Sequence, residues 1–356
     1  MSAIARAPLG SRRLAWTTVL VAVAAVFLLT LVGAAGSGRL ASDFQAGYFD
    51  AAESLRENGT PWDADAEFPY LYTPLLAELF VPLTFLPEDL AAFFAFLASF
   101  AAVMGALAIV GVRDIRCFAA VVIWAPAWNV FELANFTAAL ALLSALAWRY
   151  RDVTWASASA IGFAIAVKLL LWPLLVWFAA TRRIHTAGLS LGIAGGLVLL
   201  SWSIIGFAGL TSYPDVLRAI PFEESFSIVG VATALGFDPL AGRAAAAVVG
   251  GALLAAVVYL GRNGDELGAF ACAVVAALAL SPVVWLNYLV LLGVPLAIAR
   301  PRFSAIWLLP IVLWVCPRDG NGDGLQPFIP GVVALVVLTA ILAGPRGHER
   351  AVEVPA

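Results

Sequence analysis

Long apolar runs separated by short polar turns recur along the whole chain, and this alternation restricts the fold more than any single motif does. The first run, about Leu14 to Ala35, has roughly 22 residues, enough at 1.5 Å each to cross a ~30 Å hydrocarbon core. Further runs follow at about 89–112, 117–131, 136–148, 186–207, 239–261, 266–281, 286–299, 303–316 and 328–344. In lipid, every backbone polar group must be satisfied within its own segment, so runs of this length imply helices. Composition agrees: 63% of residues are hydrophobic and 12% charged, against roughly 45–50% apolar residues in soluble domains. The chain is therefore read as an all-α polytopic membrane protein of about ten transmembrane helices.

The basic residues orient it. Arg6, Arg12 and Arg13 precede the first run, which places the N-terminus on the cytoplasmic side. A signal peptide is the competing reading, but the run is long for one. Arg113 and Arg116, RYRD (149–152), GRNGDE (261–266), RPR (300–302) and the tail bases Arg346 and Arg350 then fall on that same side, so both termini are inside. The run at about 155–180 has bases at both ends, Arg149 and Arg151 before it and Arg182 and Arg183 after. A single crossing would misplace one pair. A re-entrant pair of half-helices, joined near Lys168 and broken by Pro173, places both correctly. The polar stretches left outside are a first loop at about 36–88 and a second at about 208–238, within one domain spanning 1–356. Segment 74–86, too short to span and bounded by Pro74 and Pro87, is expected to lie at the outer interface.

Several function classes drop out. A net charge of −3 provides no concentrated basic surface for nucleic acid. With two histidines and three cysteines of unpaired spacing, the chain offers neither a histidine-based metal or acid–base centre nor a disulfide framework, so any catalytic base is expected to be a carboxylate. No metal site and no cofactor is expected. Asp63-Ala64-Asp65 matches a metal-holding Asp-x-Asp element only superficially, and a solvated acidic loop is the plainer reading. Asp319 to Gly324 matches the first half of a calcium loop, but Pro330 occupies the twelfth position, where a bidentate Glu belongs.

The stretch 39–74 carries the chemistry. It holds seven acids against two bases, with aromatic residues threaded between them. Aromatic rings beside carboxylates suit a membrane-interface site for a sugar, although an interfacial aromatic belt with solvated acids accounts for the composition equally well. Three outer stretches are expected to meet at one cavity: SDFQAGY (42–48), YPDVLRAIPFEES (213–225) and SPVVWLNY (281–288). Ionisable groups at membrane depth are functional candidates by default, which singles out Asp43 and Lys168. The plain alternatives are a helix cap for Asp43 and a snorkelling or carbonyl-satisfying role for Lys168.

The order Asp43-Phe44, Ala51-Ala52, Gly59, Tyr70-Leu-Tyr72-Thr-Pro74, Pro82-Leu83 and Leu86-Pro87 resembles the polyprenyl-phosphate-mannose-dependent mannosyltransferases of the GT-C superfamily, the actinobacterial group that elongates phosphatidylinositol mannosides. The similarity continues through Trp124-Ala-Pro126, Ala147-Trp148, Lys168, Pro173, Arg182-Arg183, Ser281-Pro282 and Trp285. It implies a GT-C-like bundle and transfer of a hexose, mannose in the first instance, from a polyprenyl-phosphate donor to an extracytoplasmic lipid or glycan acceptor, with inversion. Asp43 then matches the general base, and Lys168, Arg218 and Arg39 are the candidates for the donor phosphate. Tyr48, Tyr70, Tyr72, Trp285, Asn287 and Tyr288 are the candidates for substrate contact.

Two positions depart from that pattern. Relatives commonly carry Gly-Gln-x-Asn where this chain has Ala134-Asn135-Phe136-Thr137, and a His pair after the Trp where it has Leu286-Asn287-Tyr288. Asn and Tyr hydrogen-bond sugars or phosphates but do not shuttle protons near neutral pH. A multi-pass transporter and an inactive polyprenyl-lipid-binding relative are the alternative readings. The first lacks the inverted repeats such a fold requires, and the lost His pair is the second's only support.

Overall fold

The computed structural model describes residues 9–35, 40–62, 70–211, 213–218, 224–318 and 320–344. Among them the chain is helical throughout, with no strand. Among the described residues four helices are long and apolar enough to cross a bilayer unaided: Leu14–Ala34 within the first helix, Glu88–Ile109, Ile184–Ile204 and Pro239–Arg262. Eight shorter apolar segments pack among and beside them. Outward residues such as Leu29, Leu191, Val248 and Leu335 stay exposed, a surface that only lipid solvates favourably, so the chain is a polytopic membrane protein.

The helices follow the apolar runs closely, and the departures have local causes. The expected single crossing at 117–131 is instead two helices, Ile115–Ile123 and Ala125–Leu133, set at 71° to each other. Pro126 has no N–H to offer the Val122 carbonyl and its ring would crowd it, so the helix breaks at Trp124, whose ψ of 132 is extended. The bend is held by burial: the Trp124 indole is 1% exposed and donates to the Trp307 carbonyl at 2.7 Å. Two runs that are short for α-helical crossings are wound more tightly. Leu286–Leu292 and Ala305–Val315 are 3₁₀ helices. At about 2.0 Å per residue the second reaches about 22 Å, where an α-helix of that length would reach about 16 Å.

The expected half-helix pair forms. Thr154–Val167 ends at Lys168, whose backbone is extended, and after one 3₁₀ turn Pro173–Ala180 runs on. Its two ends are tied together by charge, because Arg183 pairs with Asp152 at 2.6 Å and with Glu266 at 2.8 Å, while Arg151 reaches Glu266 at 2.9 Å. The turns at 149–152, 181–183 and 265–266 thus share one end of the bundle. Asp114 joins the turn at 113–116 to the one at 300–303, since it pairs with Arg116 and accepts the Phe303 N–H.

Helix Ile184–Ile204 lies against Thr154–Val167 at a glycine. A Cβ added to Gly162 would sit 2.8 Å from both Ile193 Cβ and the Ser190 carbonyl oxygen. Close approach through small residues is how helices associate in lipid. Helix propensity alone would make Gly162→Ala stabilising by about 0.5–1 kcal/mol, whereas forcing a methyl into backbone costs about 1–3 kcal/mol. The overpacking term is larger, so Gly162→Ala is expected to lower the thermal midpoint of the detergent-solubilised protein. A raised midpoint would mean the two helices separate readily.

Candidate active site

Asp43 opens the polar stretch after the first helix, at the start of a short π-helix, Asp43–Phe49. Its loop is docked from below: Ala41, fully buried and in the left-handed region at φ 68, donates its N–H to the Glu132 carbonyl at 2.6 Å. The Asp43 carboxylate does not cap the helix it begins. It turns across the bundle, where Oδ2 accepts from Asn135 Nδ2 at 2.7 Å. Burial pushes the Asp43 carboxyl above its ordinary range, against the Asn135 hydrogen bond and the positive charge of Lys168, both of which pull it down.

Lys168 stands where the half-helix Thr154–Val167 ends. Its ammonium donates to the Tyr288 hydroxyl and, at 3.5 Å, to that of Tyr72, and it lies 3.8 Å from the centre of the Tyr288 ring. Neither snorkelling nor carbonyl repair describes it. Tyr72 in turn meets Tyr48, hydroxyl to hydroxyl at 3.2 Å, and Tyr48 OH accepts the Phe136 N–H at 3.4 Å. Asp43, Asn135, Tyr48, Tyr72, Lys168 and Tyr288 therefore form one cluster drawn from five separate parts of the chain.

The Tyr-Leu-Tyr-Thr-Pro segment is fixed by its own side chains. Tyr70 donates to the Thr73 carbonyl at 2.7 Å and accepts the Ala77 N–H at 2.9 Å, while Thr73 Oγ1 donates to the Ala166 carbonyl at 2.9 Å, just before Lys168. Both functions of the Tyr70 hydroxyl are thus occupied within the protein, and Tyr70 acts as a brace beside Tyr72. Trp285 is half-buried among apolar neighbours. Asn287 is 1% exposed, and its Oδ1 has no hydrogen-bond partner among the described residues.

Among the described residues the outer stretches 42–48 and 281–288 are linked through Tyr72 and Lys168, and the stretch 213–225 is joined to its surroundings through neighbouring residues rather than to the other two directly. Tyr213 donates to the Leu71 carbonyl at 3.1 Å, Trp62 stacks on Trp202 with centroids 5.0 Å apart, and the Phe226 N–H reaches the Val284 carbonyl at 2.8 Å. Arg218 ends the short helix Tyr213–Arg218, and its side chain lies outside the described residues. Arg39, the Asp63–Asp65 pair and Asp319 also lie outside them. Sequence reasoning missed the part played by Asn135 and Thr137. The signal was their position in a stretch already marked as departing from the resembled pattern.

Because burial is the leading influence on Asp43, its pKa lies above that of an ordinary carboxylate, near 4. On the reading of Asp43 as a catalytic base, proposed below, only the deprotonated form works, so activity would be present above that raised value and lost as pH falls through it. The acid limb of kcat/KM is therefore expected at higher pH than a solvent-exposed Asp would give. A limb at pH 4 or below would show that the hydrogen bond and the ammonium outweigh burial.

The family model of Glycosyltransferase family 87 matches residues 70–286, well over half of the chain. The chain belongs to glycosyltransferase family 87. The match takes in Tyr72, Asn135 and Lys168; Asp43 precedes it and Tyr288 follows it. Two proteins called polyprenol-phosphate-mannose-dependent alpha-(1-2)-phosphatidylinositol pentamannoside mannosyltransferase are similar to this family 87 member. The one from Mycobacterium tuberculosis is 28% identical over 299 residues, covering 75% of this chain and 64% of its own length. The one from Mycolicibacterium smegmatis is 26% identical over 301 residues, covering 75% of this chain and 68% of its own. The chain thus spans less than two thirds of the Mycobacterium tuberculosis relative. No solved structure matches it.

Proposed function

We propose that this family 87 protein transfers a mannose from a polyprenyl-phosphate donor to a lipid-borne glycan acceptor of the phosphatidylinositol-mannoside class, at the extracytoplasmic face and with inversion. The observation that carries the reading is the presence of Asp43 and Lys168 within one tyrosine-lined cluster, close enough for the charge of each to act on the other. An acceptor hydroxyl approaches Asp43, loses its proton to the carboxylate and attacks the anomeric carbon. A C–O bond forms to the acceptor as the C–O bond to phosphate breaks, and the polyprenyl phosphate leaves with the electron pair. Lys168 stabilises the charge that develops on that phosphate, with Tyr288 and Tyr72 holding the ammonium in place. The names of the two mycobacterial relatives support this donor and acceptor.

The orientation rests on the distribution of charge. The arginine-bearing turns at 149–152 and 181–183 are tied together at one end of the half-helix pair, and Lys168 lies at its tip, separated from the turn at 149–152 by a helix of 14 residues. With the arginines cytoplasmic, the cluster faces outward and both termini lie inside. The chain works as a single domain, with the first loop and the segment 74–86 walling the cavity.

Membranes overexpressing the protein, given radiolabelled polyprenyl-phosphate-mannose and native lipid extract, are expected to form a labelled glycolipid. If the folded protein forms none, the donor assignment is wrong.

A further inference from the structure

Asn135 takes no part in the bond-making steps, yet its surroundings are unusually exacting. Asn135 is 4% exposed and Thr137 1% exposed. The Thr137 backbone N–H donates to Asn135 Oδ1 at 2.9 Å, and Thr137 Oγ1 donates to the same oxygen at 2.7 Å. A backbone N–H can only donate, so the atom facing it must be the amide oxygen. The amide NH₂ is thereby left pointing the other way, at the Asp43 carboxylate 2.7 Å off. Thr137 in this way dictates which face of the amide Asp43 meets.

The backbone holds both partners just as firmly. Ala134, which precedes Asn135, ends the helix Ala125–Leu133 in the left-handed region at φ 48, and the Asn135 N–H closes back on the Val130 carbonyl at 3.1 Å. Across the pair, Ala41 is left-handed at φ 68 and bonded to the Glu132 carbonyl. Left-handed backbone is unfavourable at a residue with a Cβ, and two such residues flank this one hydrogen bond. An amide is well matched to this position, because it donates to an ionised carboxylate and cannot take the proton that the carboxylate must accept.

We propose that Asn135, oriented by Thr137, is a positioning residue that binds one oxygen of Asp43 and so presents the other to the acceptor hydroxyl. This rests on the reading of Asp43 as the base. Asn135→Leu keeps the size of the side chain and removes the amide. It is expected to lower kcat about 10–100-fold, as the loss of supporting hydrogen bonds to a reactive group commonly does, with KM for the polyprenyl-phosphate donor held within about twofold. Thr137→Val keeps the backbone donor and loses the hydroxyl, so it is expected to lower kcat about fivefold, while Thr137→Ser restores it.

The experiment is steady-state transfer by the full-length protein in lipid nanodiscs, with thermal midpoints of all three variants and of Asp43→Asn. Asn135→Leu within twofold of wild type, or Thr137→Ser as impaired as Thr137→Val, would overturn the proposal. So would a raised KM at unchanged kcat. If Asn135→Leu fails to fold, the Thr137 pair decides by the same criterion. The two ideas fail separately: Asp43→Asn with full activity removes the base itself, whereas an inactive Asp43→Asn beside a normal Asn135→Leu removes only the positioning role.

Discussion

Asp43→Asn is expected to reduce kcat for sugar transfer by about 10²–10⁴-fold, the usual contribution of a general base. The substitution is conservative in every other respect. An Asn at 43 has nearly the same shape, and by turning its own carbonyl toward Asn135 it still accepts the hydrogen bond that Asp43 Oδ2 accepts at 2.7 Å. The cluster of Tyr48, Tyr72 and Lys168 then keeps its hydroxyl contacts, so donor binding and the thermal midpoint are expected to change little. What is lost is the ability to take a proton, because an amide oxygen is far too weak a base near neutral pH. Initial rates with labelled donor, together with donor KM, separate these effects. Transfer within threefold of wild type would remove Asp43 from the mechanism.

Lys168→Met is expected to lower kcat by about 10²–10³-fold, the scale measured when one preorganised stabiliser of a developing negative charge is deleted. Met preserves the length and apolar body of the side chain, so the change is confined to the ammonium and its contacts with Tyr288 and Tyr72. The departing group carries the charge that Lys168 meets, so the variant is also expected to bind the product more weakly. Inhibition by added polyprenyl phosphate measures that directly, and its half-inhibitory concentration is expected to rise at least tenfold. Lys168→Arg keeps the charge but presents a wide planar fork where a compact ammonium fits between two hydroxyls, so it is expected to recover only part of the rate. If inhibition by polyprenyl phosphate were identical in wild type and Lys168→Met, the phosphate would be held elsewhere.

Much of the architecture was legible in the chain because lipid leaves little choice. The runs at 89–112, 186–207 and 239–261 correspond to the helices Glu88–Ile109, Ile184–Ile204 and Pro239–Arg262 within a few residues, since hydrocarbon demands closed backbone hydrogen bonding wherever side chains are apolar. The half-helix pair was legible too, from arginines at both ends of 155–180, and the pairing of Arg183 with Asp152 brings those ends together. The bend at Trp124 was written in Pro126 but passed over, because an apolar run hides a change of direction. The tight winding of Ala305–Val315 had no such marker: a 3₁₀ helix and an α-helix draw on the same apolar residues, and packing against neighbours chooses between them.

For the site the division is sharper. Residue chemistry by itself nominated Asp43 and Lys168, because charge near the membrane is too costly to keep without a use, and it nominated the tyrosines as polar rings in an outer loop. It did not distinguish Tyr70, whose hydroxyl is occupied at Thr73 and Ala77, from Tyr72, whose hydroxyl meets Lys168. Nor did it connect Asp43 to Asn135 across 92 positions of chain. Those contacts depend on which helix ends come to the same level of the bundle, and that follows from helix lengths, bends and the left-handed turns at Ala41 and Ala134 acting together. Local pattern sets where a helix runs and which groups are expensive to bury; only the packed chain sets which of those groups meet.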